Sequence, residues 1–120
     1  MPAEPFTHAQ MLQWIFFEQY EHEPSLAVRR YILRLSGRPE DFADRLPELE
    51  AKGYGVLGVM ERHLGGRAWF AGDAFSLADV CLYGYTHVAD EGGFSLDGFP
   101  AVRAWLDRVA AEPGHVPITA

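Results

Sequence analysis

The stretch Ser76-Leu77-Ala78-Asp79 pins a helix start to one residue. Ser76 at the N-cap is expected to accept from the backbone N–H of Asp79. A carboxylate three residues later reaches back to the N–H of the cap, so the pair satisfies two donors that a helix end leaves open. Phe75 and Val80 stand at the two positions of a hydrophobic staple. The helix predicted from this start puts Leu77, Val80, Cys81, Gly84 and Val88 on one core-facing side and stops at Gly92-Gly93. Ser76 and Asp79 could be mistaken for a nucleophile and an acid. Their spacing at a helix start assigns them to structure instead, and truncating either is expected to cost about 0.5–2 kcal/mol.

The rest of the chain also reads as helix. Strand-like alternation is almost absent, and Gly and Pro divide the sequence into segments. A first segment is predicted from Pro5 to His22, with proline suited to the opening turn. Met11, Leu12, Trp14, Ile15, Phe16, Phe17 and Tyr20 lie all round it, the pattern of a helix covered on more than one side. Pro24 is expected to end it, and a second helix to run from Ser25 to Leu35, where Gly37 and Pro39 follow. A third segment begins between Asp41 and Pro47 and reaches Leu64, with Leu46, Leu49, Leu57, Met60 and Leu64 near the helical period. Gly53, Gly55 and Gly58 lie inside it. Each costs roughly 1 kcal/mol relative to Ala, so close helix packing is expected there. A last helix starts near Phe99-Pro100, carries Val102, Trp105, Leu106 and Val109 at i, i+3, i+4 and i+7, and ends at Pro113-Gly114; the tail from His115 to Ala120 is expected to be extended. The fold class is therefore all-α: a bundle of about five helices forming one domain over residues 1–120.

Composition narrows the function classes. The 120 residues are 48% hydrophobic, too apolar for a disordered chain. A net charge of −7 repels phosphate backbones, so nucleic acid is not an expected partner. No apolar run reaches the 18 or so residues of a membrane span, and residues 1–4 lack signal-peptide character. Cys81 is the one cysteine, so no internal disulfide can form. These features point to a reducing compartment, most simply the cytoplasm.

Few residues promise chemistry. His8, His22, His63, His87 and His115 show no paired metal-ligand spacing, and surface or core roles are expected for them. Cys81 falls on the predicted core face, where a thiol away from positive charge is inert. Trp14 to Phe17 are four consecutive large apolar residues on successive sides of one helix. A single core cannot take them all, and exposed apolar patches of that kind are usually covered by a partner.

Two stretches carry a family resemblance. One is Gln13-Trp14-Ile15-Phe16-Phe17-Glu18-Gln19-Tyr20 followed by His22-Glu23-Pro24. The other runs through Trp69-Phe70-Ala71-Gly72-Asp73, Phe75-Ser76-Leu77-Ala78-Asp79-Val80 and Tyr85 to Asp90, and closes with Phe99-Pro100-Ala101-Val102 and Trp105-Leu106. Together they resemble the all-helical C-terminal domain of bacterial glutathione transferases. The capping box alone is common. The box behind an aromatic-Gly-Asp loop, with a Phe-Pro-x-Val helix start about twenty residues on, is far more specific.

The resemblance implies several expectations. Family members begin with a thioredoxin-like domain that activates the glutathione thiol, and this sequence opens at what looks like the interdomain linker, Pro2-Ala3-Glu4-Pro5. The thioredoxin-like domain is then a missing partner. No cofactor is expected in this chain, glutathione being the co-substrate of a full-length relative. Trp14, Phe17 and Tyr20 are the expected wall for a hydrophobic electrophilic small molecule. The family's two-fold dimer implies a homodimer built on the first two segments, with Phe16, Arg30 and Arg34 at or near the interface. No catalytic residue and no metal ligand is expected, and the chain alone is expected to be inactive. The alternative is a protein-interaction module of the same fold with no chemistry. A thioredoxin-like segment encoded just upstream would favour the enzyme.

Overall fold

Pro24 does not break the first helix. In the computed structural model, which describes residues 2–116, residues 5–35 form one unbroken helical stretch, α1. It is α-helical over Pro5–Phe17, π-helical over Glu18–Ala27, α-helical again over Val28–Arg30 and π-helical over Tyr31–Leu35. A proline has no N–H for the i→i−4 ladder, and its ring crowds the carbonyl four residues back. A wider turn bonded five residues back sets that constraint aside; the Val28 N–H reaches the Glu23 carbonyl and the Ser36 N–H that of Tyr31 in this way. The two helices expected on either side of Pro24 are therefore one.

Three further helices follow: α2 (Leu46–Leu64), α3 (Leu77–Thr86) and α4 (Pro100–Ala110). Short 3₁₀ turns at Pro39–Phe42 and Ala89–Gly92 join them. The fold is all-α, and among the described residues no helix is long and apolar enough to cross a membrane. The expected extended tail falls largely on residues 117–120, outside the described residues. α1 packs on both α2 and α3, and α4 closes the bundle against α2 and α3. Met11, Leu26, Leu57, Met60, Leu82, Val102 and Trp105 meet in the core.

The face assigned to α3 requires correction. Ala78, Asp79, Leu82 and Thr86 are the buried ones, whereas Leu77 is 46% and Val80 49% exposed, and Cys81 and Gly84 are only half-buried. Asp79 turns inward to bond Trp105. That sets the rotation of the helix, so Leu82 points inward and Leu77 and Val80 outward. Val88 is buried as expected.

The start of α4 has no cap of its own in sequence. Glu61 of α2 supplies one, accepting from the Ala101 and Val102 N–H groups at 2.9 and 3.0 Å. A carboxylate there also complements the helix dipole.

The α2 glycines divide. A Cβ on Gly53 would sit 2.3 Å from the Phe94 ring, but one on Gly55 meets nothing and one on Gly58 only the Arg62 side chain, so close packing explains Gly53 alone. Gly53→Ala is expected to destabilise the chain by about 1–3 kcal/mol through overpacking. Gly55→Ala should stabilise it by up to about 1 kcal/mol through helix propensity. Urea midpoints of the two variants check this contrast, and shifts of the same sign would contradict it.

Candidate functional site

Trp14 is half-buried, its ring 5.1 Å from Phe17, 4.5 Å from His63 and 4.9 Å from Phe70. His63 is held by its Nε2 to the Phe70 carbonyl at 2.9 Å, and Phe70 leads on to Trp105. Trp14 thus joins the surface of α1 to the core. Phe17 borders a shallow groove of about 500 Å³ between α1 and α2, with Val56, Val59 and Gly55 along it and Glu21 and Lys52 at its polar edges. Tyr20 stands apart, 75% exposed. The structure therefore brings Trp14 and Phe17 together and sets Tyr20 on the outer side of α1. There it follows Leu12 and Phe16, 39% and 60% exposed, at spacings of four, in an apolar stripe that the chain leaves uncovered.

A second groove of about 500 Å³ lies between α3 and the end of α4, walled by Phe75, Val80, Val109 and Val116. Tyr83 lies in it, stacked on His87 and hydrogen-bonded through its hydroxyl to His115 Nε2 at 3.2 Å. The outward rotation of α3 is what gives this groove its apolar rim.

The capping residues sit at the head of α3. Both halves of the box are made: Ser76 Oγ accepts from the Ala78 N–H, and Asp79 Oδ2 accepts from the Ser76 N–H at 3.0 Å. Asp79 also accepts through Oδ1 from the Phe70 N–H at 3.2 Å and from Trp105 Nε1 at 2.9 Å. Burial raises its pKa while these bonds pull it down. A helix cap has become the junction of three parts of the fold.

Charged residues on α1 are engaged within the chain. Arg30 and Arg34 both pair with Glu91, at 2.5 and 3.2 Å. These two arginines, expected at or near a dimer interface, are engaged by Glu91 of the same chain, because α1 runs on past Pro24 and lies against the Ala89–Gly92 turn. Arg29 donates to the Leu46 and Gly92 carbonyls and to Glu50, and lies over Phe94. Glu18 is buried, which raises its pKa, and Gln19 donates to it. Burial raises the Cys81 thiol too, with the charge of Glu18 adding to the effect.

None of these groups is an activated nucleophile. Activating a thiol requires a neighbour that favours the thiolate. Here Ser76 is committed to a cap, and the pKa values of Cys81 and Tyr83 are raised, both chiefly by burial. The arrangement offers apolar surfaces and grooves.

Comparison with known proteins agrees with the all-helical fold. The family model of the glutathione S-transferase C-terminal domain matches residues 25–113. A crystal structure of a glutathione S-transferase from Pseudomonas fluorescens is similar with a TM-score of 0.95 at 47% identity, over 100% of this chain and 60% of that one. Another, from Xanthobacter autotrophicus, has a TM-score of 0.95 at 42% identity, over 98% and 58%. A glutathione S-transferase-like protein of a Fusarium species is 34% identical over 110 residues, 85% of this chain and 47% of its own length. The chain spans about half the length of most curated relatives it matches. The helical order, the filled capping box and these matches lead to one assignment: the chain belongs to the glutathione S-transferase C-terminal domain family.

Proposed function

We propose that this chain is the helical half of a glutathione-conjugating or glutathione-reducing enzyme of the cytoplasm. It supplies an apolar wall for a hydrophobic electrophile and part of a two-fold dimer interface, while a thioredoxin-like domain supplies the glutathione site. The observation that carries the reading is the uncovered apolar surface of α1, in a chain spanning about half the length of its relatives. Trp14 and Phe17 form the wall; Tyr20, on the outer side of α1 with Leu12 and Phe16, belongs to the dimer surface instead. The groove between α3 and α4, with Phe75 and Val80 on its edge, offers the preceding domain a seat.

The test joins this chain behind a thioredoxin-like domain of the family and measures steady-state kinetics. Phe17→Ala is expected to raise KM for a chlorinated nitroaromatic by about tenfold, the equivalent of about 1.4 kcal/mol, and to leave KM for glutathione within about twofold. Parallel changes in both KM values, or none in either, would remove Phe17 from the wall.

A further inference from the structure

His22 is fully buried in the π-helical part of α1. Its Nε2 lies 2.7 Å from Thr86 Oγ1 on α3. The Thr86 hydroxyl gives its own proton to the Leu82 carbonyl at 2.6 Å, so it can only accept from the imidazole. The proton of the neutral ring is thereby assigned to Nε2. Nδ1 is left as a buried lone pair with no partner among the described residues.

We propose that His22 is an acid-sensitive latch between α1 and α3: neutral, it ties the two helices together through Thr86; protonated, it cannot stay in its site, and the joint opens. Protonation at Nδ1 creates an N–H with no acceptor and a charge with no counter-ion, a combination that a buried site disfavours strongly.

Beside His22 on α1, Glu21 is exposed and Glu23 half-buried, and His87, next to Thr86, stacks on Tyr83; the other charged and titratable groups around the joint are bonded to other partners, exposed or neutral. On α1, Glu18 is bonded to Gln19 and Arg29 to Gly92, Leu46 and Glu50. On α3, Asp79 is held by Ser76, Phe70 and Trp105, and the Cys81 thiol is kept neutral by burial. On the Ala89–Gly92 turn, Glu91 holds Arg30 and Arg34, and Asp90 is exposed. On α2, Tyr54 accepts from the Ser95 N–H, and Lys52 is exposed at the outer groove. Burial alone lowers the His22 pKa, to about 4.

The sign follows from linkage. Between the unfolded value near 6.5 and the folded value near 4, the unfolded chain binds the extra proton. The stabilisation is complete above pH 6.5 and is lost as pH falls toward 4. From pH 6.5 to 4.5 this lowers the folding equilibrium constant about 40-fold. Asp79 and Glu18, with raised pKa values, act in the opposite direction, so the effect is read as a difference between proteins.

Nitrogen-detected NMR of the wild-type chain is expected to show the Nε2–H tautomer at pH 7 and no protonation of His22 above about pH 5. Amide exchange is expected to accelerate between pH 6.5 and 4.5, relative to intrinsic rates, around residues 18–27 and the end of α3 before it does in α2. In His22→Gln the 40-fold fall with pH should disappear. An Nδ1–H tautomer, a folded-state midpoint near 6.5, or the same pH slope in the variant overturns the latch. Should the variant not fold, the wild-type tautomer and midpoint decide.

Discussion

Asp79→Ala lowers the stability of the chain by about 3–5 kcal/mol, while Ser76→Ala costs about 1 kcal/mol. Sequence reasoning gives the two residues equal weight because it sees only the capping box. In the fold, Asp79 also accepts from Trp105 Nε1 and the Phe70 N–H, both buried. Alanine therefore loses a cap and leaves two buried donors without acceptors, each costing roughly 1–3 kcal/mol. A domain of this size has only about 6–18 kcal/mol of stability, so the loss is a large fraction of it. Asp79→Asn, which keeps a carbonyl oxygen for Trp105, should fall between wild type and alanine. Urea denaturation followed by tryptophan fluorescence measures all three, and equal midpoints for Asp79→Ala and Ser76→Ala would contradict the shared junction.

Phe16→Glu is expected to leave the chain folded and to convert the proposed dimer to a monomer. Phe16 is 60% exposed in the middle of the stripe Leu12, Phe16 and Tyr20, so a carboxylate there meets solvent rather than core in the single chain. In a self-complementary interface each Phe16 acts twice, once from each copy. Removing a central aromatic commonly costs a complex about 2 kcal/mol or more, roughly 30-fold in Kd. Sedimentation at micromolar concentration is expected to give a dimer for wild type and a monomer for the variant, with unchanged circular dichroism. A monomeric wild type, or a variant that still dimerises, removes the stripe from the interface.

The helical class and the segment ends at Gly37 and Gly65-Gly66 are legible in sequence, because periodicity and breakers are local signals; α3, by contrast, ends at Thr86, short of the expected stop at Gly92-Gly93, where a 3₁₀ turn intervenes. The capping box is legible for the same reason. The single helix through Pro24 is not, since proline reads as a stop and only the packing of residues 18–35 against three neighbouring elements sustains the wide turns. Counting apolar residues puts Leu77 and Val80 on the inner face of α3, where the structure does not place them. A buried carboxylate bonded to a tryptophan 26 residues away set the rotation instead. Glu61 capping α4, Arg29 bridging α1 to two segments and His22 reaching Thr86 are pairings across 40 or more residues or between separate elements. No local pattern announces them. The aromaticity of Trp14, Phe17 and Tyr20 does not say which is anchored in the core: Trp14 packs on Phe70, while Tyr20 stands clear of it.

The proposed division of labour has this chain provide apolar surface and another domain carry out the thiol chemistry of glutathione. The most direct measurement mixes repurified residues 1–120 with glutathione and a chlorinated nitroaromatic, and compares the rate with that of the same chain joined to a thioredoxin-like domain. The isolated chain is expected to match the uncatalysed rate and the joined protein to exceed it clearly. A rate well above background for the isolated chain, surviving a second purification, would contradict it.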